Sequence, residues 1–279
     1  MTQIAILGAG YVGKAAAKSW HDRGFRLTLT TTNPDRIPEL QPLANQVLLL
    51  HGHDTAAVRS LLQNHTTLLV SLGAKRGNSY TEVYLKTARS IAAVIDSAPS
   101  LQHIIYTSSL AVYGNHHGDW VTESSPLQPT NLNSSVLAET EQILLDLATP
   151  DRKVCILRLA GIYGPGRELE RILQPLAGTT QGGDGSDVAN WVHRDDVVGA
   201  ITFAHNDRLQ GIYNVVNDTP LSRSVILDWL CQKQGWEPVE WDPEQPNPRS
   251  TNMRLSNHKL KTAGYTFQHP KLITPHSNP

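Results

Sequence analysis

The 279-residue sequence is poor in cysteine and in charged side chains. Its two cysteines, Cys155 and Cys231, lie far apart and match no metal-binding or redox spacing. Charged residues make up 18% of the chain and the formal net charge is −1. The chain therefore lacks the basic surface that a dedicated nucleic-acid-binding protein needs.

The sequence also has no long apolar run and no export signal. Apolar stretches such as residues 47–50 fall far short of the roughly 20 residues that span a bilayer. Residues 1–3 lead directly into a strand-like stretch at residues 4–7, without the basic region of a signal peptide. Together with the low cysteine content, these features predict a reduced, cytoplasmic protein that does not bind membranes.

Short apolar stretches alternate with helical ones in the first half of the chain. The pattern predicts strands at residues 4–7, 26–32, 47–50, 68–71, 103–107 and 154–159, and helices at 12–23, 81–97 and 134–148. Such alternation is typical of βαβ units, whose right-handed crossovers place helices on both faces of a parallel sheet. The predicted fold class is α/β, a Rossmann-type doubly wound parallel sheet followed by a small, loop-rich C-terminal region.

A glycine-rich turn follows the first predicted strand and opens the first helix. Its sequence, Gly8-Ala9-Gly10-Tyr11-Val12-Gly13, is G-x-G-x-x-G in the position typical of dinucleotide binding. Glycine permits the tight turn, the approach of the backbone to a pyrophosphate and the packing of helix on strand. We therefore interpret residues 1–160 as a dinucleotide-binding domain. Residues 161–279 form a reduced substrate-binding region, from which a segment at about 190–215 returns to the sheet.

The end of the second strand indicates which dinucleotide is preferred. NAD-specific sites place an acid there for the ribose 2′-hydroxyl, but here the strand ends in Thr31 and runs on to Asn33, with Asp35 the first acid. Arg36 follows and is suited to pair with a 2′-phosphate, unless it is an ordinary solvated loop cation. The sequence therefore favours NADP over NAD.

Further motifs occur in a fixed order along most of the chain. They are Ile104-Ile105-Tyr106-Thr107-Ser108-Ser109-Leu110-Ala111-Val112-Tyr113-Gly114, Val121-Thr122-Glu123, Leu157-Arg158-Leu159, Gly161-Ile162-Tyr163-Gly164-Pro165-Gly166, Trp191-Val192-His193-Arg194-Asp195-Asp196 and Gly211-Ile212-Tyr213-Asn214-Val215. With the glycine turn, they resemble the extended short-chain dehydrogenase/reductase superfamily, in its NAD(P)-dependent epimerase/dehydratase group. The resemblance implies a nicotinamide cofactor and an oxidoreductase or epimerase reaction.

The resemblance also implies site residues and exposes one departure. It places Ser109 at the Ser/Thr that hydrogen-bonds the reacting oxygen, but it places Asn133 and Leu137 where the family has its catalytic Tyr-x-x-x-Lys pair. Residues 120–145 contain neither Tyr nor Lys, so no shift of register restores that pair. A phenol such as Tyr113 could replace the missing tyrosine from another direction, although a packing role suits it better.

The resemblance assigns two more segments to the cofactor. Asp54, after the third strand, is expected to contact the adenine. Ser71, Leu72 and Gly73 end the fourth strand, where the family lines the cofactor with small residues. His51-Gly52-His53-Asp54 is better explained by this loop than by a metal, and we predict no metal site.

Two functions remain open from the sequence. One is an NADP(H)-linked oxidoreductase or epimerase acting on an unknown small molecule, with Ser109 and an unidentified proton donor. The other is a catalytically inactive NADP(H)-binding redox sensor or regulatory module, favoured by the missing Tyr and Lys. A homodimer is compatible with either function.

Overall fold

The computed structural model describes residues 3–74, 77, 79–247 and 251–272. Its first half follows the predicted alternation of strands and helices. The elements are β1 (Gln3–Leu7), α1 (Tyr11–His21), β2 (Arg26–Thr31), α2 (Ile37–Leu40), β3 (Gln46–Leu49), α3 (Thr55–Leu62), β4 (Thr67–Val70), α4 (Lys86–Val94), β5 (His103–Ser109), β6 (Trp120–Val121), α5 (Leu132–Leu145) and β7 (Lys153–Leu159). Helix α3 was not predicted, because it is short and its start, capped by Asp54, coincides with a segment that we assigned to the cofactor.

The second half has shorter elements joined by longer loops. They are β8 (Gly161–Tyr163), α6 (Leu169–Leu173), β9 (Thr180–Gly182), β10 (Val188–Ala189), β11 (Trp191–His193), α7 (Arg194–Asn206), β12 (Gly211–Val215), β13 (Leu221–Ser222), α8 (Arg223–Gln234), β14 (Glu240–Asp242), β15 (Arg254–Leu255) and α9 (His258–Thr262).

Seven strands form one parallel sheet in the order β12-β7-β5-β4-β1-β2-β3. The predicted doubly wound fold is thereby confirmed. The strand order reverses between β1 and β4, which pair in parallel with Ile6 opposite Leu69. In open α/β sheets this reversal opens a crevice at the carboxyl ends of the two strands, where ligands bind.

The chain folds as two compact units. The first comprises residues 1–112, 129–158 and 197–213, and the second comprises 113–128, 159–196 and 214–279. Residues 113–128 thus group with the second unit, although the sequence analysis assigned them to the first domain. Helix α7 and strand β12 each begin in one unit and end in the other.

The two units are built differently. The core of the first comes from sheet strands that are buried on both faces, as in Ile4, Ile6, Leu68, Ile104 and Ile105. The second contains two-stranded sheets that pair β10 with β13, β11 with β8, β14 with β9 and β15 with β6. Of the helices that the structure describes, none is both long enough and apolar enough to cross a membrane.

Candidate functional site

The glycine turn lies at the point where the strand order reverses, and two of its glycines are fixed by close contacts. Gly8 has a φ of 101°, and a Cβ atom on it would lie 2.5 Å from the Ser71 carbonyl oxygen, in the loop after β4. A Cβ atom on Gly13 would lie 2.1 Å from the Gly8 carbonyl oxygen. Both positions therefore require glycine for the packing of the protein itself.

Gly10, the middle glycine, has a different environment. A Cβ atom on it would have nothing within 4 Å. Gly10 is the N-cap of α1, no side chain caps the helix there, and the first turn contains no acidic residue. The open space beside this helix N-terminus, with its partial positive charge, suits an anion such as a pyrophosphate.

A cleft of about 850 Å³ opens beside the glycine turn, entirely within the first unit. It is lined by most of the predicted cofactor residues, namely Gly8, Gly10, Tyr11, Thr31, Arg36, Ser71, Leu72 and Gly73. The other four lie close by in sequence but do not line it. Val12 and Gly13 pack inside α1, Asn33 caps the turn at Pro34–Arg36, and Asp54 caps α3.

Thr30 and Thr31 connect the glycine turn to the loop that follows β2. The Thr30 hydroxyl accepts a hydrogen bond from the Gly8 N–H at 3.0 Å, and the Thr30 carbonyl accepts one from the Ala9 N–H at 2.9 Å. The Thr31 hydroxyl donates to the Asn33 carbonyl at 3.3 Å and thereby holds the start of the loop. These bonds fix the β2 loop against the site without any acidic side chain.

Arg36 lines the cleft and is bound to Glu39. Its Nη2 atom lies 2.6 Å from Glu39 Oε1, and Lys14 Nζ of α1 lies 2.8 Å from Glu39 Oε2. The hydrogen bond from Lys14, followed by the one from Arg36, lowers the pKa of Glu39 below its usual value. One carboxylate thus holds two cations together, a pair that the sequence spacing did not reveal.

The loop at residues 51–54, which was expected to contact the adenine, is fixed by contacts with α3 and α4. The Asp54 carboxylate accepts hydrogen bonds from the backbone N–H groups of Ala56 and Ala57, at 3.1 and 3.0 Å. His51 and His53 line the cleft in its place, with ring centroids 5.4 Å apart. A Cβ atom on Gly52 would lie 2.2 Å from Thr87 Oγ1, so a glycine is needed where this loop packs on α4.

Ser109 and Tyr113 occupy different environments. Ser109 ends β5, is half-buried, and accepts a hydrogen bond from the Ala111 N–H at 3.2 Å. Tyr113 belongs to the second unit, is fully buried, and donates its hydroxyl to Asn214 Oδ1 at 2.7 Å. A fully buried phenol whose hydroxyl is hydrogen-bonded within the second unit is suited to packing. The acid–base role of Tyr113 stays a prediction, and this position does not favour it.

Asn133 and Leu137, the residues that the resemblance predicts at the family's Tyr and Lys positions, lie in α5. Asn133 is exposed in the first turn of the helix, whereas Leu137 is buried one turn later. An amide and an alkyl group do not titrate near neutral pH, so neither can transfer the proton of a carbonyl reaction.

Sequence reasoning missed a buried ionic group beneath β5. Glu141 of α5 and Arg158 of β7 are each 2% exposed, and Arg158 Nη2 lies 2.6 Å from Glu141 Oε2. The Ser108 hydroxyl donates to Glu141 Oε1 at 2.5 Å. Arg158 thus pairs with Glu141, which also holds Ser108 of the strand that ends in Ser109.

Two acidic residues, Asp195 and Asp196, lie in the first turn of α7, which begins at Arg194. The Asp196 carboxylate is fully buried and accepts hydrogen bonds from the N–H groups of Gln268 and His269, at 2.6 and 2.9 Å. It therefore anchors the C-terminal part of the described chain.

Comparison with known proteins supports the family resemblance. The model of the family "NAD dependent epimerase/dehydratase" matches residues 4–216. The chain is 34% identical over 245 residues to protein YeeZ of Escherichia coli K12, covering 85% of this chain and 86% of that protein. The chain therefore belongs to the NAD dependent epimerase/dehydratase family.

Solved structures show the same fold at low sequence identity. Human epimerase family protein SDR39U1 (isoform 2) with NADPH has a TM-score of 0.76 and 18% identity, with 97% of this chain and 96% of that chain covered. A double mutant of DesIV, the dTDP-glucose 4,6-dehydratase of Streptomyces venezuelae, with NAD bound has a TM-score of 0.80 and 18% identity, with coverages of 96% and 92%. Proteins with this fold have thus been solved with either dinucleotide.

Proposed function

We propose that this member of the NAD dependent epimerase/dehydratase family binds a nicotinamide dinucleotide in the cleft beside the glycine turn and prefers NADP(H) to NAD(H). The observation that carries the preference is the position of Arg36. Its side chain lines the cleft after β2, which ends in threonine where an NAD-specific site has an acid. The human relative solved with NADPH supports the cofactor class.

Glu39 competes with the cofactor for the Arg36 guanidinium. A 2′-phosphate must compete with the Glu39 carboxylate for the guanidinium, because the two groups prefer the same bidentate geometry. Lys14 stays beside Glu39 when Arg36 turns to the phosphate, so the carboxylate keeps a counter-ion. We expect this exchange to be inexpensive, since all three side chains are partly exposed.

Substitution of Arg36 and Glu39 tests the preference. Arg36→Ala is expected to weaken NADPH binding about 10- to 100-fold and to leave NADH binding unchanged, because only NADPH carries the 2′-phosphate. Glu39→Gln is expected to strengthen NADPH binding by a few-fold, since it frees the guanidinium. Arg89→Ala removes an exposed arginine that is paired with Glu139, and it serves as the control. Equal losses for both cofactors with Arg36→Ala would contradict the NADP preference.

For the reaction we propose an NADP(H)-linked oxidoreductase or epimerase-like conversion of a small molecule, with Ser109 as a polar contact to the reacting oxygen. Its support is the position of Ser109 at the carboxyl end of β5. A sensor or regulatory module without turnover is the second candidate, and the exposed Asn133 and buried Leu137 favour it. For either function we expect a cytoplasmic protein, and either function is compatible with a homodimer.

NADPH oxidation with a panel of small aldehydes and ketones separates the two candidates. An enzyme is expected to oxidise NADPH with at least one carbonyl compound and to lose most of that rate in Ser109→Ala. Tyr113→Phe then tests the tyrosine: an unchanged rate restricts Tyr113 to packing, whereas a large loss with unchanged NADPH affinity makes it the proton donor. Tight NADPH binding without turnover of any carbonyl compound would support the sensor.

A further inference from the structure

Two imidazoles and one carboxylate converge in the second unit, on residues to which the proposed function gives no role. His193 ends β11, Asp195 lies in the first turn of α7, and His269 follows the buried aromatic residues Tyr265 and Phe267. One potential ligand atom from each of the three side chains lies within 4.8 Å of the other two. The His193 and His269 ring centroids are 3.8 Å apart.

The spacing is close to that of a metal site. His193 Nδ1 lies 3.8 Å from Asp195 Oδ2. Nitrogen and oxygen ligands at about 2.0–2.2 Å from a tetrahedral zinc ion are separated by roughly 3.4 Å. Side-chain rotations that shorten these separations by on the order of 1 Å would bring the three groups onto one ion.

The two oxygens of Asp195 have different partners. Arg194 approaches Oδ1, with Nη2 at 3.2 Å, whereas Oδ2 is the oxygen that faces His193. The buried Asp196 carboxylate, which accepts a hydrogen bond from the His269 N–H, adds a second negative charge next to the cluster. Two carboxylates against one guanidinium leave a net negative charge that favours a cation.

The two ring nitrogens of His193 have different neighbours. Nδ1 accepts a hydrogen bond from the Asp195 N–H at 3.2 Å, and a metal bound at Nδ1 would replace that bond. Nε2 lies beside Gly164, where an added Cβ atom would come within 3.0 Å of it. Any side chain at Gly164, whose φ is 138°, would therefore crowd the His193 ring at Nε2.

The position of His269 is set by hydrogen bonds from its own segment. Its N–H and that of Gln268 donate to Asp196, and the Tyr265 hydroxyl donates to the Asp196 carbonyl at 2.8 Å. These bonds fix the backbone that carries the His269 ring, so less conformational freedom is lost when the ring binds an ion.

We propose that His193, Asp195 and His269 bind one divalent transition-metal ion of the zinc class. Two imidazoles and a carboxylate are donors that suit Zn²⁺, Co²⁺ and Ni²⁺, and they leave the remaining coordination positions for water or another ligand. No metal site was predicted from the sequence, because a short ligand spacing cannot reveal a site to which His269 contributes from a distant segment. This proposal is independent of the proposed cofactor.

Calorimetric titration of the tag-free, metal-stripped protein with Zn²⁺ alone tests the site. The protein is expected to bind one equivalent, and Co²⁺ is expected to give the visible absorption of a site with nitrogen and oxygen ligands. His269→Ala and Asp195→Asn should each weaken Zn²⁺ binding by at least about 10- to 100-fold, the loss that follows removal of a ligand's hydrogen-bond partner alone, whereas His258→Ala, at an exposed histidine of the same unit, should not.

Thermal unfolding with and without Zn²⁺ completes the test. Zn²⁺ is expected to raise the Tm of the wild-type protein and of His258→Ala, but not that of His269→Ala, because a ligand that binds only the folded state stabilises it. His269→Gln covers the case in which His269→Ala fails to fold. Zn²⁺ binding that is absent from the wild-type protein, or that is equally tight in wild type, His269→Ala and His269→Gln, would overturn the proposal.

Discussion

The two units of the chain are stabilised by different kinds of interaction. In the first, parallel strands bury apolar side chains on both faces, and the glycine turn fits because its side chains are missing. In the second, buried polar side chains join segments that are distant in sequence. Asn190, for example, donates to the Met253 carbonyl and accepts from the Leu255 N–H, each at 3.0 Å. One continuous parallel sheet thus organises the first unit, whereas the second combines short two-stranded sheets with individual side-chain hydrogen bonds.

The largest change in stability is expected at the Glu141–Arg158 ion pair, which is buried in the interior of the first unit. Arg158→Met leaves the Glu141 carboxylate buried without its guanidinium, and we expect a loss of about 3–5 kcal/mol in the free energy of unfolding. Denaturant unfolding measures it.

The double variant Arg158→Met/Glu141→Leu is the control, because it removes both charges. It is expected to recover most of the loss, since a buried pair replaced by apolar groups of similar volume is close to neutral. A single variant that loses less than about 1 kcal/mol would mean that the pair is not a stabilising element of the first unit.

The next effect is an acid sensitivity of the first unit. His103 is buried, its Nε2 lies 3.0 Å from the Leu209 carbonyl oxygen, and its ring stacks on His205 with centroids 6.5 Å apart. Burial, together with the charges of His205, Arg208 and Lys153, lowers the pKa of His103 to about 4. Burial also lowers the pKa values of His65 and His205.

The three histidines bind protons at a higher pH in the unfolded chain than in the folded protein. The free energy of unfolding is therefore highest above about pH 6.5 and falls as the pH drops towards 4. His103 alone accounts for roughly 3 kcal/mol of this fall. His103→Gln is expected to flatten the stability–pH curve measured by denaturant unfolding, whereas His258→Gln, an exposed control, is not. An unchanged curve in His103→Gln would refute this source of acid sensitivity.

A smaller effect is expected from a single hydrogen-bonding side chain of the second unit. Asn190→Ala leaves the Met253 carbonyl and the Leu255 N–H without their partner, and we expect it to destabilise the protein by about 1–3 kcal/mol. Hydrogen exchange should quicken in residues 251–257 and stay unchanged in strands β1, β4 and β5. Asn64→Ala, at an exposed asparagine, is the control. Equal acceleration in both units would show that they are not stabilised separately.

The same contrast explains what could be predicted from the sequence. The parallel sheet and the glycine turn are encoded by neighbouring residues, since apolar periodicity and glycine spacing are local features. The family resemblance pointed to Ser109, which the structure has at the end of β5, whereas the departure at Asn133 and Leu137 stays a prediction. The Glu141–Arg158 pair and the grouping of His193 with His269 were missed because each joins side chains from separate elements. Local spacing carries no information about such contacts.

The most direct test of the cofactor site uses the one glycine of the turn that has open space around it. Gly10→Ala adds a methyl group that meets no atom within 4 Å, so the variant is expected to keep the Tm of the wild-type protein. The methyl group would occupy the space proposed for the pyrophosphate. We predict that the wild-type protein binds NADPH, measured by quenching of its tryptophan fluorescence, and that Gly10→Ala binds it about tenfold or more weakly. NADPH that binds both proteins equally well, or neither at millimolar concentration, would contradict the assignment of this cleft to the cofactor.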